Sequence, residues 1–79
     1  MKDIQNIQIT YCAEWGFLDH AASLAAAIEQ EFGVKATLKD GPHSIFEVSM
    51  NNRIIYTNKN RPGQLPAEGE IISSIYGEV

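Results

Sequence analysis

Polar and apolar positions alternate from Ile4 to Tyr11, with Ile7, Ile9 and Tyr11 on one side and Gln8 and Thr10 on the other, the two-residue period of a half-buried strand. From Phe17 the period lengthens: Phe17, Ala21, Leu24, Ile28 and Phe32 recur at spacings of three and four, which predicts an amphipathic helix with Gly33 as its C-terminal cap. Val34, Ala36 and Leu38 then alternate with Lys35, Thr37 and Lys39 as a second strand, closed by a turn at Asp40-Gly41-Pro42. Ser44 to Met50 reads as a third strand, with Phe46, Val48 and Met50 on one face. Asn51-Asn52 suits a two-residue hairpin turn because asparagine tolerates positive φ, and Arg53 to Thr57 returns as the fourth strand. A polar loop, Asn58 to Gln64, leads to a last helix with Pro66 in its first turn, Glu68 and Glu70 near its positive end, and Ile71, Ile72 and Ile75 as its apolar side.

The order β-α-β-β-β-α constrains the topology. A strand-helix-strand unit forms a parallel, right-handed crossover, whereas the short Asn51-Asn52 turn forces an antiparallel pair. Each strand has one richer apolar face, so the expected architecture is a two-layer α/β sandwich: a mixed four-stranded sheet with both helices on one face. In this arrangement Cys12 to Trp15, Lys39 to Ser44 and Asn58 to Pro66 converge on one sheet edge, and the Asn51-Asn52 turn lies at the other. Ligands commonly bind beyond the carboxyl ends of parallel strands, which makes that edge the place to seek chemistry.

With 79 residues the chain has room for one small domain, expected to span 1–79 and to bury a thin core. Ten acidic against six basic side chains give a net charge of −4, which argues against general affinity for nucleic acid or anionic lipid. Between Val34 and Arg61, however, five bases (Lys35, Lys39, Arg53, Lys59, Arg61) outnumber two acids (Asp40, Glu47). This local excess is either a modest anion preference or a solvated strand face. The amino end lacks the apolar run of a signal peptide, and the apolar stretch near Ala21 to Ile28 is too short to span a bilayer. A single cysteine, Cys12, excludes an intrachain disulfide and fits a reducing, cytoplasmic setting.

The candidate chemistry centres on Cys12, where the first strand gives way to the helix. Unpaired N–H groups of a first helical turn stabilise a thiolate, the nucleophilic form, and Lys59, Arg61 or His43 would add to this from the converging loops while Glu14 opposes it. The alternative is an inert, packed thiol. His20 reads as a surface residue, since no serine or acid stands at triad spacing from it. Two histidines and one cysteine without close spacing give no metal-site pattern, and Gly41 and Gly63 read as turn glycines.

Tyr11-Cys12-Ala13-Glu14-Trp15-Gly16-Phe17 after a first strand, Phe46-Glu47-Val48 in the third, and Lys59, Gly63 and Pro66 before the last helix together resemble the selenoprotein W-like, or Rdx, family over nearly the whole chain. The resemblance implies a thioredoxin-like fold and a thiol redox role linked to glutathione or protein-thiol partners. It also exposes a departure: the family pattern has a second cysteine or selenocysteine three residues after the first, and here that position is Trp15. An internal disulfide cannot close on Cys12 alone, so dithiol reductase turnover is excluded for the isolated chain.

Two functions follow as expectations. In one, Cys12 is a single nucleophile forming a mixed disulfide with glutathione as co-substrate or with a protein thiol. Tyr11, Trp15, His43, Lys59 and Arg61 then shape the partner surface, and no resident cofactor or metal takes part. In the other, the chain is a redox-inactive thioredoxin-like module that docks a protein, or a second copy, through the Trp15 edge or the open sheet face. Trp15 itself is either a core aromatic or a flat surface for that partner. The first function requires the sulfur to be presented to solvent.

Overall fold

The computed structural model describes residues 4–42, 44–61 and 64–78; of Trp15 it describes the backbone alone. The predicted element order is observed, with one addition: β1 (Ile7–Tyr11), a 3-10 turn (Ala13–Trp15), α1 (Leu18–Phe32), β2 (Ala36–Asp40), β3 (Phe46–Met50), β4 (Arg53–Thr57) and α2 (Glu68–Glu78). The sheet order is β2-β1-β3-β4, parallel between β1 and β2 and antiparallel elsewhere. Alternation sends Ile7, Ile9, Phe46, Val48 and Met50 to one face, where they meet Ala21, Leu24 and Ile28 of α1 and Ile71 and Ile75 of α2. Gln8, Thr10, Lys39, Glu47, Ser49 and Ile54 line the other, uncovered face. This is the thioredoxin-like two-layer arrangement.

Local chemistry explains most element ends. Gly33 closes α1 in the left-handed conformation (φ 72°) and its N–H donates to Glu29 O at 2.8 Å, as a C-terminal glycine should. Asn51 and Asn52 both take positive φ (54° and 68°), the geometry of a type I′ hairpin. Asn51 does more: its Oδ1 accepts from the N–H groups of Gln5 (2.7 Å) and Asn6 (3.1 Å), pinning the amino end to the hairpin. Two expectations need correction. Asp40 continues β2 rather than starting a turn, because it stays in register with Tyr11. Pro66 lies two residues ahead of α2 and is buried, its carbonyl accepting a hydrogen bond from the ring of His20 rather than opening the helix.

His20 is accordingly not a free surface residue. Its Nε2 is 2.8 Å from Pro66 O, and its ring stands edge-on to Phe46 with centroids 5.4 Å apart. Ser23 Oγ donates to Glu68 Oε1 at 2.6 Å, and the Tyr76 hydroxyl donates to the Glu31 carboxylate. The two helices are thus tied along their length by polar contacts above the apolar layer. β2 is covered less well: Leu38 is 36% exposed, since it shares with Ala22, Ala25 and Ala26 of α1 a groove that these short side chains leave open.

The end of the sheet carrying Tyr11, Phe46 and Thr57 is built by two residues whose importance the sequence conceals. Gly41 donates its N–H to Tyr11 O (2.8 Å) and has no positive φ; what it needs is space, because a Cβ there would lie 2.4 Å from Thr10 Cγ2 and 2.8 Å from Ile45 Cγ2. Asn58, 3% exposed, accepts from Phe46 N at its Oδ1 (2.8 Å) and donates from Nδ2 to Ser44 O (2.8 Å) and Gln64 O (3.2 Å). Its backbone bonds Phe46 O and receives Arg61 N. One buried amide thereby joins β3, the 44–45 segment and the loop after β4.

Three substitutions test this packing. Gly41→Ala should lower unfolding free energy by about 1–3 kcal/mol through overpacking, whereas Gly69→Ala, which meets open space, should be neutral or stabilising. Asn58→Ala should cost about 1–3 kcal/mol because it strands buried backbone groups, measured by urea denaturation followed by circular dichroism. A neutral result for Gly41→Ala or Asn58→Ala would contradict the packing described.

Candidate functional site

The cysteine turn begins where β1 loses its pairing after Tyr11. Cys12 is extended (φ −92°, ψ 107°), Ala13 to Trp15 form the 3-10 turn, and Gly16 ends it with φ 74°. Glycine is favoured there because the left-handed conformation, which reverses the chain toward Phe17, strains most other residues. The turn is held by Gly16 N to Ala13 O (3.1 Å), Phe17 N to Cys12 O (3.4 Å) and Ala13 N to Asp40 Oδ1 (3.4 Å). The last of these makes the Asp40 carboxylate the cap of the turn, a role available to it only because β2 extends through that residue.

Cys12 is 1% exposed and belongs to the same packed layer as Phe17, Ile45 and Phe46. This corrects the expectation of a sulfur presented to solvent. It also corrects the proposed electrostatics, because α1 starts only at Leu18, six residues on, with Phe17 as its N-cap. The Cys12 thiol makes no capping hydrogen bond to the intervening turn. Reactive cysteines occupy electropositive, partly exposed surroundings, and buried apolar ones are inert.

The expected cations are directed elsewhere. Lys59 Nζ lies 3.5 Å from Glu47 Oε2, on the uncovered sheet face, whereas Cys12 is packed on the helix face. Arg61 lines a cleft beyond β4 with Tyr56 and Glu70. Tyr11 is half-buried and packs against the core from the end of β1. His43 and the Trp15 side chain lie outside the described residues. The expected convergence is observed for two pairings, Asp40 with Ala13 and Asn58 with Ser44, whereas Pro66 meets His20 of α1 rather than the cysteine segment. Among the described residues, what converges is a set of backbone-capping contacts, with Lys59 and Arg61 directed elsewhere.

A family model described as the Rdx family matches residues 6–76, which takes in every strand and helix just described except the last residues of α2. The chain belongs to the Rdx family. Among solved structures, the Rdx chain is similar to a Bordetella parapertussis protein at 20% identity, with 98% of this chain and 100% of that one aligned and a TM-score of 0.86. It is similar also to a selenoprotein W-related protein from Vibrio cholerae at 21% identity, covering 92% and 94% of the two chains with a TM-score of 0.81. At these identities the likeness is one of fold. No curated protein matches the Rdx chain. No helix among its described residues is long and apolar enough to cross a membrane.

Residues that sequence reasoning passed over carry the architecture of this end of the Rdx fold: Asp40 as cap, Gly41 as spacer and Asn58 as connector. Burial of Cys12 yields a stability test free of any redox assumption. Cys12→Ser places a hydroxyl in an apolar layer and should destabilise by about 1–3 kcal/mol, more than Cys12→Ala, in chemical denaturation. A serine variant as stable as the parent would mean that the side chain is solvated.

Proposed function

We propose that this Rdx-family protein acts as a thioredoxin-fold binding module whose single thiol is closed in the native state and does not turn over. The observation that carries this reading is the 1% exposure of Cys12 within the apolar layer. The sequence supports it too, since Trp15 stands where the resemblance would place a second sulfur. The docking element in this reading is the 12–16 turn at the end of β1, with Trp15 as its aromatic contact to a protein partner; large aromatics dominate such contacts because they bury much area at low entropic cost. The setting is the reducing cytoplasm, where a lone thiol persists without pairing.

A second reading, single-thiol redox chemistry, is favoured by one feature: two hydrogen bonds that hold the turn, Phe17 N to Cys12 O and Ala13 N to Asp40 Oδ1, are 3.4 Å long, at the weak end of the range. A short, weakly bonded turn opens at lower free energy than the whole domain. Once uncovered, the Cys12 thiolate attacks one sulfur of oxidised glutathione, forming a mixed disulfide and releasing one glutathione thiolate. A second external thiol must then regenerate Cys12, because no internal partner exists.

Intact-mass analysis after exposure to oxidised glutathione separates the two. The binding-module reading expects no adduct on the native protein and one glutathione on the urea-unfolded chain. It also expects Trp15→Ala to abolish capture of an identified partner that Cys12→Ala still binds. A native protein that acquires one glutathione as fast as the unfolded chain, or a covalent dimer, establishes the redox reading instead.

A further inference from the structure

A cleft of about 210 Å3 opens between the end of β4, the loop that follows it and the first turn of α2, lined by Tyr56, Thr57, Asn58, Asn60, Arg61, Gln64 and Glu70. It is separated from Cys12 by two strand spacings, about 10 Å, across β3. Two full charges of opposite sign face it, yet among the described residues neither Arg61 nor Glu70 makes an ion pair, and the side chains of Tyr56, Asn60 and Gln64 make no hydrogen bond.

The backbone that carries the two charges is held by hydrogen bonds. Arg61 sits in a loop fixed at both ends, its N–H on Asn58 O (2.9 Å), its carbonyl receiving Gln64 N (3.1 Å), and Gln64 O bound by the buried Asn58 amide (3.2 Å). Glu70 is anchored in α2, its N–H on Ala67 O and its carbonyl receiving Ser74 Oγ. The Tyr56 hydroxyl lies in the field of both: burial foremost and then Glu70 push its pKa up, while Arg61 pulls it down. Ligand sites are concave and carry a small number of polar groups that orient the ligand; here such groups stand beside Tyr56, and the hydrogen-bonded backbone beneath them lowers the ordering cost of binding.

The sign pattern narrows the ligand. A polyanion would meet Glu70, and a simple cation would meet Arg61; a molecule carrying one carboxylate and one ammonium meets an opposite charge at each end. The volume is below that of drug-sized pockets and holds a short carbon skeleton. We propose that this cleft binds a small zwitterionic amino acid, its carboxylate on Arg61 and its ammonium on Glu70, with Tyr56, Asn60 and Gln64 supplying neutral hydrogen bonds. The site does not use Cys12, so it stands whether the thiol is inert or reactive.

The test is a titration of the full, isotope-labelled chain with glycine, β-alanine and 4-aminobutyrate, which space the two charges progressively, alongside acetate and methylammonium. Saturable amide shifts at Arg61, Gln64 and Glu70 are expected with at least one of the three amino acids, and about ten-fold weaker binding of both half-ligands, a difference of about 1.4 kcal/mol. Arg61→Gln and Glu70→Gln should each weaken binding about ten-fold without moving the thermal midpoint. Acetate binding as tightly as the amino acids, wild-type affinity in both variants, or no saturation by any of the three at concentrations of about 50 mM would overturn the proposal.

Discussion

One packed layer governs this protein. Its sheet is covered on a single face, so every large apolar side chain that is fully buried must enter the space between that face and the two helices, and Cys12 enters it with them. In a chain of 79 residues that layer is thin, and a group drawn into it is difficult to release without disturbing neighbours such as Phe17, Ile45 and Phe46. The same placement that gives the sulfur a structural use removes it from solvent. Chemistry at the end of β1 is therefore subordinate to packing there.

The loops around that end are held by backbone capping. Asp40 holds the turn that follows Cys12, Gly41 lets the following segment approach β1, and Asn58 joins the start of β3 to the loop after β4. These contacts fix loop conformations while leaving their side chains free to face outward. Lys59 is consequently directed to Glu47 on the open face and Arg61 to the cleft beside α2. The fold thereby directs Lys59 and Arg61 away from the thiol.

Much of this was legible in the residues. The change from a two-residue to a 3.6-residue period after Tyr11, the glycine after Phe32 and the Asn51-Asn52 pair suffice for element order and for the parallel and antiparallel pairings observed. The cysteine segment, with the Phe46-Glu47-Val48 and Lys59-to-Pro66 stretches, sufficed for the family. What could not be read is what depends on a turn's path. Nothing in Cys12-Ala13-Glu14-Trp15-Gly16 says that the strand stops one residue short of the cysteine, or that a 3-10 turn intervenes and folds the sulfur inward. Likewise a glycine needed for clearance looks like a turn glycine, and an asparagine with three side-chain hydrogen bonds looks like a loop polar residue, because their partners, Thr10, Ile45, Ser44 and Phe46, are brought in by tertiary structure.

Membership of the Rdx family and closure of the thiol have to be held together. The fold has a strand-to-helix junction after β1, and in this chain the sulfur at that junction is part of the core. The most direct test is the rate at which a small neutral thiol reagent labels Cys12 as urea is raised through and below the unfolding transition. Closure predicts labelling slower by about a hundred-fold or more in the native protein than in the unfolded chain, with a rate that rises as the turn or the domain opens. Labelling of the native protein at the rate of a free thiol, independent of urea, would contradict it.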